Sequence, residues 1–140
     1  MLEDKNFARV VLQASDECPH PFEEEGGVIF SRDNEYCFAK INNIHQGTDT
    51  AIALYEAEKN ELGKCVFDKY KDGWVMFASF HTHPQFAPYP SYIDLDTLFQ
   101  GFEHNVIYAP LHEKFSYSTW ENGASKLKKL VAKSQLNENQ

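Results

Sequence analysis

The sequence is poor in cysteine and has no long hydrophobic run. Its three cysteines, Cys18, Cys37 and Cys65, are scattered and form no C-x-x-C pair, so we expect reduced thiols and no cysteine nucleophile. No stretch approaches the roughly 18 apolar residues of a membrane span. The N-terminal residues MLEDKNFARV lack the basic-then-apolar pattern of a secretory signal. These absences predict a cytoplasmic protein without a membrane segment.

Positive charge is scarce as well. The 13 Lys and Arg residues are outnumbered by 21 Asp and Glu residues, and the formal net charge is −8. A nucleic-acid-binding protein would need a basic surface, so this balance argues against that function. A basic protein partner remains open, although an acidic surface is also ordinary for solubility.

Residues 74–94, WVMFASFHTHPQFAPYPSYID, carry the strongest chemical signal. Both faces of the first half are largely apolar, which predicts a central strand that ends at Pro84. His81 and His83 lie side by side on one face, about 6.5–7 Å apart along the strand. Two imidazoles at that spacing can converge on one metal ion. Alternation predicts two faces for this strand: Trp74, Met76, Ala78 and Phe80 on one, and Val75, Phe77, Ser79, His81 and His83 on the other.

A helix is predicted to begin after Ser91. Ser91 suits the N-cap, and Asp94 has the capping-box spacing, with apolar residues continuing the helix to Phe102. An acid in the first turn faces back toward the incoming chain, where it could be a third metal ligand. Two His, one Asp and an open position describe a catalytic zinc site rather than a closed structural one. Ser-x-x-Asp alone is most often only a helix cap, so both interpretations stand.

The combined pattern H-x-H-P-x6-S-x-x-D resembles that of the JAMM zinc metallopeptidases, which are also called JAB or MPN-plus proteins. Within that superfamily, the chain resembles a compact bacterial-type JAB domain. The resemblance implies one zinc ion held by His81, His83 and Asp94, with Ser91 helping to stabilise the oxyanion. It also implies a glutamate on an earlier strand edge that acts as general acid and base.

The sequence PFEEEGGVIF at 21–30 offers three candidates for that glutamate. Bacterial members commonly have E-x-G-G before an apolar strand, and Glu24 fits that position. Glu23 and Glu25 are its neighbours, so an assignment one residue away stays open. A solvated acidic turn is the alternative interpretation of the three consecutive glutamates.

Phe86 and Tyr89 lie on the proline-stiffened loop between the histidines and Ser91. One interpretation makes them a substrate-facing wall beside the metal. The other makes them a cover for the hydrophobic end of the sheet.

The remaining pattern predicts a single mixed α/β domain over 1–140, with a polar tail that frays at about 135–140. The family resemblance implies a curved mixed β-sheet flanked by helices. Residues 51–54 fit either a strand or a helix start. The predicted elements are helices at 4–17, 56–71 (interrupted near Gly63) and 124–134, a strand at 28–30 paired with a second one through Tyr36, Phe38 and Ile41, and strands at 105–109 and 115–119.

The resemblance implies hydrolysis of a peptide or isopeptide bond in a protein or peptide substrate. A ubiquitin-like protein and another processed partner protein are both candidates, and amide hydrolysis on a smaller molecule stays open. The alternative is a non-catalytic MPN-like scaffold that only binds protein partners. Such relatives lack parts of the motif, whereas His81, His83, Ser91 and Asp94 are all present here.

Overall fold

The computed structural model describes residues 1–45 and 55–138, and its centre is one six-stranded sheet. The strand order is β2-β1-β3-β4-β5-β6. Only the β3–β4 pair among these described strands is parallel. The predicted class, a curved mixed sheet flanked by helices, is therefore confirmed. The elements are α1 Lys5–Glu17, β1 Gly26–Arg32, β2 Glu35–Ile41, α2 Lys59–Lys71, β3 Val75–Thr82, α3 Tyr92–Asp96, a 3₁₀ turn Phe99–Gly101, β4 His104–Ala109, β5 Lys114–Glu121, β6 Ala124–Ala132 and α4 Lys133–Glu138.

Helix α1 closes one face of the sheet. Asp4 caps it by accepting hydrogen bonds from the N–H groups of Asn6 and Phe7. Phe7 is fully buried and meets Tyr36 and Phe77 edge to face, with ring centroids 5.2 and 5.7 Å apart. Burial of such a side chain contributes about 1.5–3 kcal/mol. The predicted helix at 4–17 is thus confirmed, together with its cap.

A bulge breaks the predicted alternation in β3. Ile29 of β1 pairs with Ala78, but the next residue, Phe30, pairs with Met76, so Phe77 is the extra residue. Phe77 packs against the hydrophobic core that lies beneath α1. Ala78 and Phe80 belong to the same core. The prediction that Phe77 shares a face with His81 is therefore wrong, because alternation assumes an unbroken ladder.

The predicted helix at 124–134 is also wrong. Most of this segment is β6, which pairs antiparallel with β5. Asn122 and Gly123 both have positive φ, 53° and 76°, as a two-residue hairpin turn requires. Residues 135–138, expected to fray, belong to α4, where Leu136 is buried. Leu127 and Leu130 of β6 are 49% and 41% exposed.

Two other helices differ from the prediction in length. Helix α3 ends at Asp96 rather than continuing to Phe102, and the 3₁₀ turn follows it. Helix α2 begins at Lys59 and runs through Gly63 without interruption, yet none of its described residues is buried. The prediction for 51–54 lies outside the described residues. No helix among the described residues is both long and apolar enough to span a membrane.

Candidate metal centre

Four buried side chains converge at one end of β3. Glu24 lies just before β1, His81 lies on β3, His83 directly follows β3, and Asp94 lies on α3. One potential ligand atom from each falls within 4.8 Å of all the others. Each of the four residues is at most 4% exposed. The group could therefore hold a metal ion.

Three of the four atoms form a nearly equilateral triangle. The Nε2 atoms of His81 and His83 are 3.1 Å apart, and each is 3.1 Å from Oδ2 of Asp94. Tetrahedral zinc with bonds of about 2.0–2.1 Å separates its ligand atoms by about 3.3–3.4 Å. The triangle is within a few tenths of an ångström of that spacing, so the donor set fits a zinc ion.

Sheet pairing holds the two histidines in place. His81 pairs with Gly26 of β1 on one side and with Ile107 of β4 on the other. The N–H of His83 donates to the carbonyl of Tyr108 at 2.9 Å and extends the parallel ladder by one residue. Pro84 has no N–H to continue it, so the strand pairing ends beside the site.

The Gly-Gly pair lets β1 approach closely. A Cβ atom on Gly26 would lie 2.2 Å from the carbonyl oxygen of Phe80 and 2.9 Å from Cβ of His81. A Cβ atom on Gly27 would lie 2.0 Å from the carbonyl oxygen of Ala39. Both contacts are closer than a side chain can approach. The two glycines therefore bring the preceding Glu24 within reach of the histidines.

The three glutamates have different surroundings. Oε1 of Glu24 lies 3.9 Å from Nε2 of His81 and has no hydrogen-bond partner among the described residues. Glu25 accepts a hydrogen bond from the N–H of His20 at 2.7 Å and forms an ion pair with Lys40. The Glu23 carboxylate is 29% exposed and lies 3.6 Å from His20 Nε2. Of the three, Glu24 is the one that joins the cluster.

Backbone contacts orient Glu24 from both sides. The N–H of Glu25 donates to Oγ1 of Thr82 at 3.0 Å, and the N–H of Thr82 donates to the Glu25 carbonyl at 2.9 Å. Nδ2 of Asn43 donates to the Glu24 carbonyl at 2.9 Å. Because Thr82 lies between the two histidines, these bonds couple the position of Glu24 to that of both rings.

Asp94 is both a helix-cap residue and a member of the cluster. Its Oδ2 accepts a hydrogen bond from the Ser91 N–H at 3.0 Å, and its own N–H donates to Ser91 Oγ at 3.1 Å. The capping box predicted from the sequence is therefore present. Ser91 is exposed, and its oxygen accepts this bond, which leaves the O–H group able to donate.

The two imidazoles are oriented differently. Nδ1 of His83 lies 2.9 Å from the Ala87 carbonyl. Since a carbonyl only accepts, Nδ1 carries a proton, and in the neutral ring Nε2 has the lone pair that a metal would bind. His81 is stacked on Tyr55, with centroids 6.0 Å apart, and meets the edge of Phe99. His81 Nδ1 has no hydrogen-bond partner among the described residues.

Burial and charge shift the acidities of the cluster. Burial raises the pKa of Glu24 to about 8, against an ordinary 4.5. Burial also lowers the pKa of His81. Burial opposes the charged form of His83, but the contact with Asp94 and the charge of Glu24 outweigh it and raise the pKa of His83. Burial also opposes the charged form of Asp94, but the contacts with His81 and then with His83 outweigh it and lower the pKa of Asp94. Without a metal, the site thus favours a neutral Glu24 beside an ionised Asp94.

Phe86 and Tyr89 lie on the loop between His83 and α3, and their side chains are 54% and 52% exposed. They are predominantly in solvent beside the cluster. Gln85 on the same loop donates to the Pro21 carbonyl at 2.8 Å, which ties this loop to the segment before Glu24.

The sequence interpretation missed several supporting groups. Tyr55, Thr82 and Asn43 contact site residues from positions with no motif spacing. His20 accepts hydrogen bonds at Nδ1 from the N–H groups of Phe22 and Glu23. No local pattern signals these roles, because each depends on which segments pack together.

Comparison with known proteins identifies structures with a similar fold, but it assigns no activity. No protein-family model matches the sequence, and no curated protein matches it. The solution structure of protein DSY2949 from Desulfitobacterium hafniense is similar, with a TM-score of 0.64 and 19% identity over 91% of this chain and 88% of that one. A Salinibacter ruber protein is similar with a TM-score of 0.53 and 18% identity, over 89% and 85%. At these identities the likeness shows a shared fold alone.

Proposed function

We propose that this chain is a JAMM-type zinc metallopeptidase that hydrolyses a peptide or isopeptide amide bond. The observation that carries the proposal is the buried triangle of His81 Nε2, His83 Nε2 and Asp94 Oδ2. The Glu24 carboxylate lies beside it, and its Oε1 has no hydrogen-bond partner among the described residues. Three protein ligands and a neighbouring acid are the composition of a hydrolytic zinc site.

Zinc suits this donor set better than a harder cation does. Imidazole nitrogens bind Zn²⁺ readily, whereas Mg²⁺ and Ca²⁺ take oxygen ligands. When bound, a zinc ion would lower the pKa of a coordinated water toward neutrality and polarise the substrate carbonyl. His81, His83 and Asp94 would hold it.

Glu24 is assigned the proton transfers. Its carboxylate would accept a proton from the attacking water and deliver it to the leaving amine as the C–N bond breaks. Its burial and its position 3.9 Å from Nε2 of His81 support this role, because a general acid and base must lie within reach of the reacting groups. Ser91 would donate its O–H to the developing oxyanion.

The substrate is a protein or peptide, with a ubiquitin-like protein or another processed partner as candidates. Phe86 and Tyr89 would face it, which their exposure beside the site supports. Nucleic acid is disfavoured as a partner by the net charge of −8. The cytoplasmic location remains a prediction from the sequence.

Metal content and hydrolysis test the proposal together. Elemental mass spectrometry should find about one zinc per chain in the wild type and a loss of zinc in His83→Ala. Glu24→Gln should retain zinc but lose hydrolysis of internally quenched peptides, whereas Glu23→Gln, the matched control, should keep both. A wild-type protein that takes up no zinc, even after reconstitution, would contradict the proposal and favour the non-catalytic scaffold.

A further inference from the structure

The two histidines of the cluster are held in different ways. Nδ1 of His83 lies 2.9 Å from the Ala87 carbonyl, and this contact fixes the angle of that ring. A histidine that binds a metal ordinarily makes such a bond with its other nitrogen. His81 is fully buried, yet its Nδ1 has no hydrogen-bond partner among the described residues. Because the Cβ–Cγ torsion of histidine has only a weak preference of its own, another contact must set the angle of the His81 ring.

Aromatic rings contact the His81 imidazole instead. The ring of Tyr55 is nearly parallel to it, with an angle of 19° between the planes and centroids 6.0 Å apart. The edge of Phe99 meets the imidazole at 77°, with centroids 6.4 Å apart. Tyr55 and Phe99 are 2% and 0% exposed, so both rings are fixed in a closely packed interior. Packing against them restricts rotation of the imidazole.

The hydroxyl group of Tyr55 ties this residue to the sheet. Its O–H donates to the Ile41 carbonyl at 3.0 Å. Gly26 pairs with Ile41 on one side and with His81 on the other, so the three residues form one row across β2, β1 and β3. Two strand spacings, about 9.4–9.8 Å, separate the ends of this row. The Tyr55 side chain bridges them, since its hydroxyl reaches β2 and its ring reaches His81.

Gly26 leaves room for this bridge. Residues that pair directly in a sheet place their side chains on the same face, and glycine has none. A Cβ atom at this position would already lie 2.9 Å from Cβ of His81. Tyr55 also lies outside the described hydrophobic core beneath α1. Its burial therefore serves the face of the sheet that carries the cluster.

We propose that Tyr55 is a positioning residue for the metal centre. Its stacked ring does for His81 what a hydrogen bond at Nδ1 does for His83: it keeps Nε2 directed at the other ligand atoms. The inference rests on the metal site of the proposed function. It assigns Tyr55 no contact with the metal or with a substrate.

Zinc affinity tests the inference without turnover. Tyr55→Leu removes the stacked ring, and chelator competition should show zinc binding about tenfold weaker than in the wild type. Tyr55→Phe keeps the ring and should bind zinc within about threefold of the wild type. Phe7→Leu is the matched control, because it also removes a fully buried aromatic ring. The ring contacts of Phe7 are with Tyr36, Phe77 and Tyr117, so zinc affinity in that folded variant should equal that of the wild type.

Cobalt substitution adds a measurement that a general loss of stability would not change. Co²⁺ binds the same nitrogen and oxygen ligands as Zn²⁺, and its visible absorption spectrum depends on their arrangement. The spectrum of Tyr55→Leu should differ from that of the wild type, because its His81 ring is no longer held at one angle. Tyr55→Phe and Phe7→Leu should both reproduce the wild-type spectrum.

Two measures keep the test decisive if Tyr55→Leu does not fold. Tyr55→Met fills a similar volume with a flexible side chain and no aromatic face, and it should show the same loss of zinc affinity. In the zinc-loaded wild type, a nuclear Overhauser effect between the ring protons of Tyr55 and His81 should be observed. Its absence would overturn the inference without any substitution.

The outcomes separate this inference from the proposed function. Wild-type zinc affinity and cobalt spectrum in Tyr55→Leu would overturn the inference alone, as would an equal loss of zinc in Phe7→Leu or in Tyr55→Phe. Zinc binding with the expected variant effects, but without hydrolysis, would uphold the role of Tyr55 and reject the peptidase function. A wild type that binds neither zinc nor cobalt would overturn both.

Discussion

Glu24 should make the metal-free protein less stable as pH rises, and Glu24→Gln should remove that loss. The folded protein holds Glu24 at a pKa of about 8, against an ordinary value of 4.5. A group whose pKa is higher in the folded state stabilises the fold fully below its unfolded pKa. That stabilisation is lost as pH rises through the folded pKa. The window therefore runs from about pH 4.5 to about pH 8.

The size of the effect follows from proton linkage. Within the window each pH unit costs about 1.4 kcal/mol of unfolding free energy, so the step from pH 5 to pH 7 costs about 3 kcal/mol. Typical domains have only about 5–15 kcal/mol in total. The carboxylate is at most 4% exposed, so solvent screens little of this cost.

Urea unfolding in the presence of a chelator measures the loss. Wild type, Glu24→Gln and the control Glu23→Gln would be compared at about pH 5, 6, 7 and 8 by linear extrapolation. His81, His83 and Asp94 occur in all three proteins, so their own pH dependence is largely shared. Glu24 helps to raise the pKa of His83, so the difference between Glu24→Gln and the wild type includes that coupling. Glu24→Gln should gain on the wild type by about 3 kcal/mol between pH 5 and pH 7, and Glu23→Gln should follow the wild type.

Zinc provides a second arm of the same experiment. A bound cation favours the carboxylate form of Glu24, so saturating zinc should shrink the pH-dependent gap between the two proteins. A gap that stays constant across the whole range without metal would refute the reasoning. Glu24 would then not be held neutral in the fold, and the argument for it as an acid with a raised pKa would fail.

Two further substitutions test the packing around the site. Gly26→Ala should lower both stability and zinc content, because the new Cβ would overlap the Phe80 carbonyl and Cβ of His81. Urea unfolding would measure the stability, and a chelator-competition titration would measure the zinc affinity. Unchanged zinc affinity would contradict the prediction. Phe7→Ala should cost about 3–5 kcal/mol of unfolding free energy, because Phe7 is fully buried in the core. Zinc content should be unchanged in the folded protein, since the ring contacts of Phe7 are with Tyr36, Phe77 and Tyr117. A cost below about 1 kcal/mol would contradict its place in the core.

Local sequence patterns predicted the structure correctly where the feature depends only on residues that are close in the chain. The cap at Asp4, the capping box of Ser91 and Asp94, and the end of strand pairing at Pro84 all involve contacts within a few residues. Spacing made His81, His83 and Asp94 candidate ligands, and the family resemblance implied that they act together. The structure brings the three side chains into one cluster.

Patterns failed where pairing partners decided the structure. The leucines of 124–134 have helical spacing, yet the hairpin with β5 made this segment a strand. The Asn-Gly turn before it is a strong hairpin signal that the helix interpretation overlooked. Similarly, Phe77 changed face because a bulge against β1 interrupts alternation, and no feature of β3 by itself requires that bulge.

The sequence by itself determined the chemistry available to this protein: two imidazoles, a capping aspartate and a run of three glutamates, each at a spacing that local geometry can use. Only the tertiary structure decided which glutamate joins the others. The close approach of β1 at Gly26, and the bonds from Thr82 and Asn43, turn Glu24 inward, while Lys40 holds Glu25. The reason is physical: side-chain type is local, but burial, pKa and mutual distance depend on segments that meet only when the sheet forms.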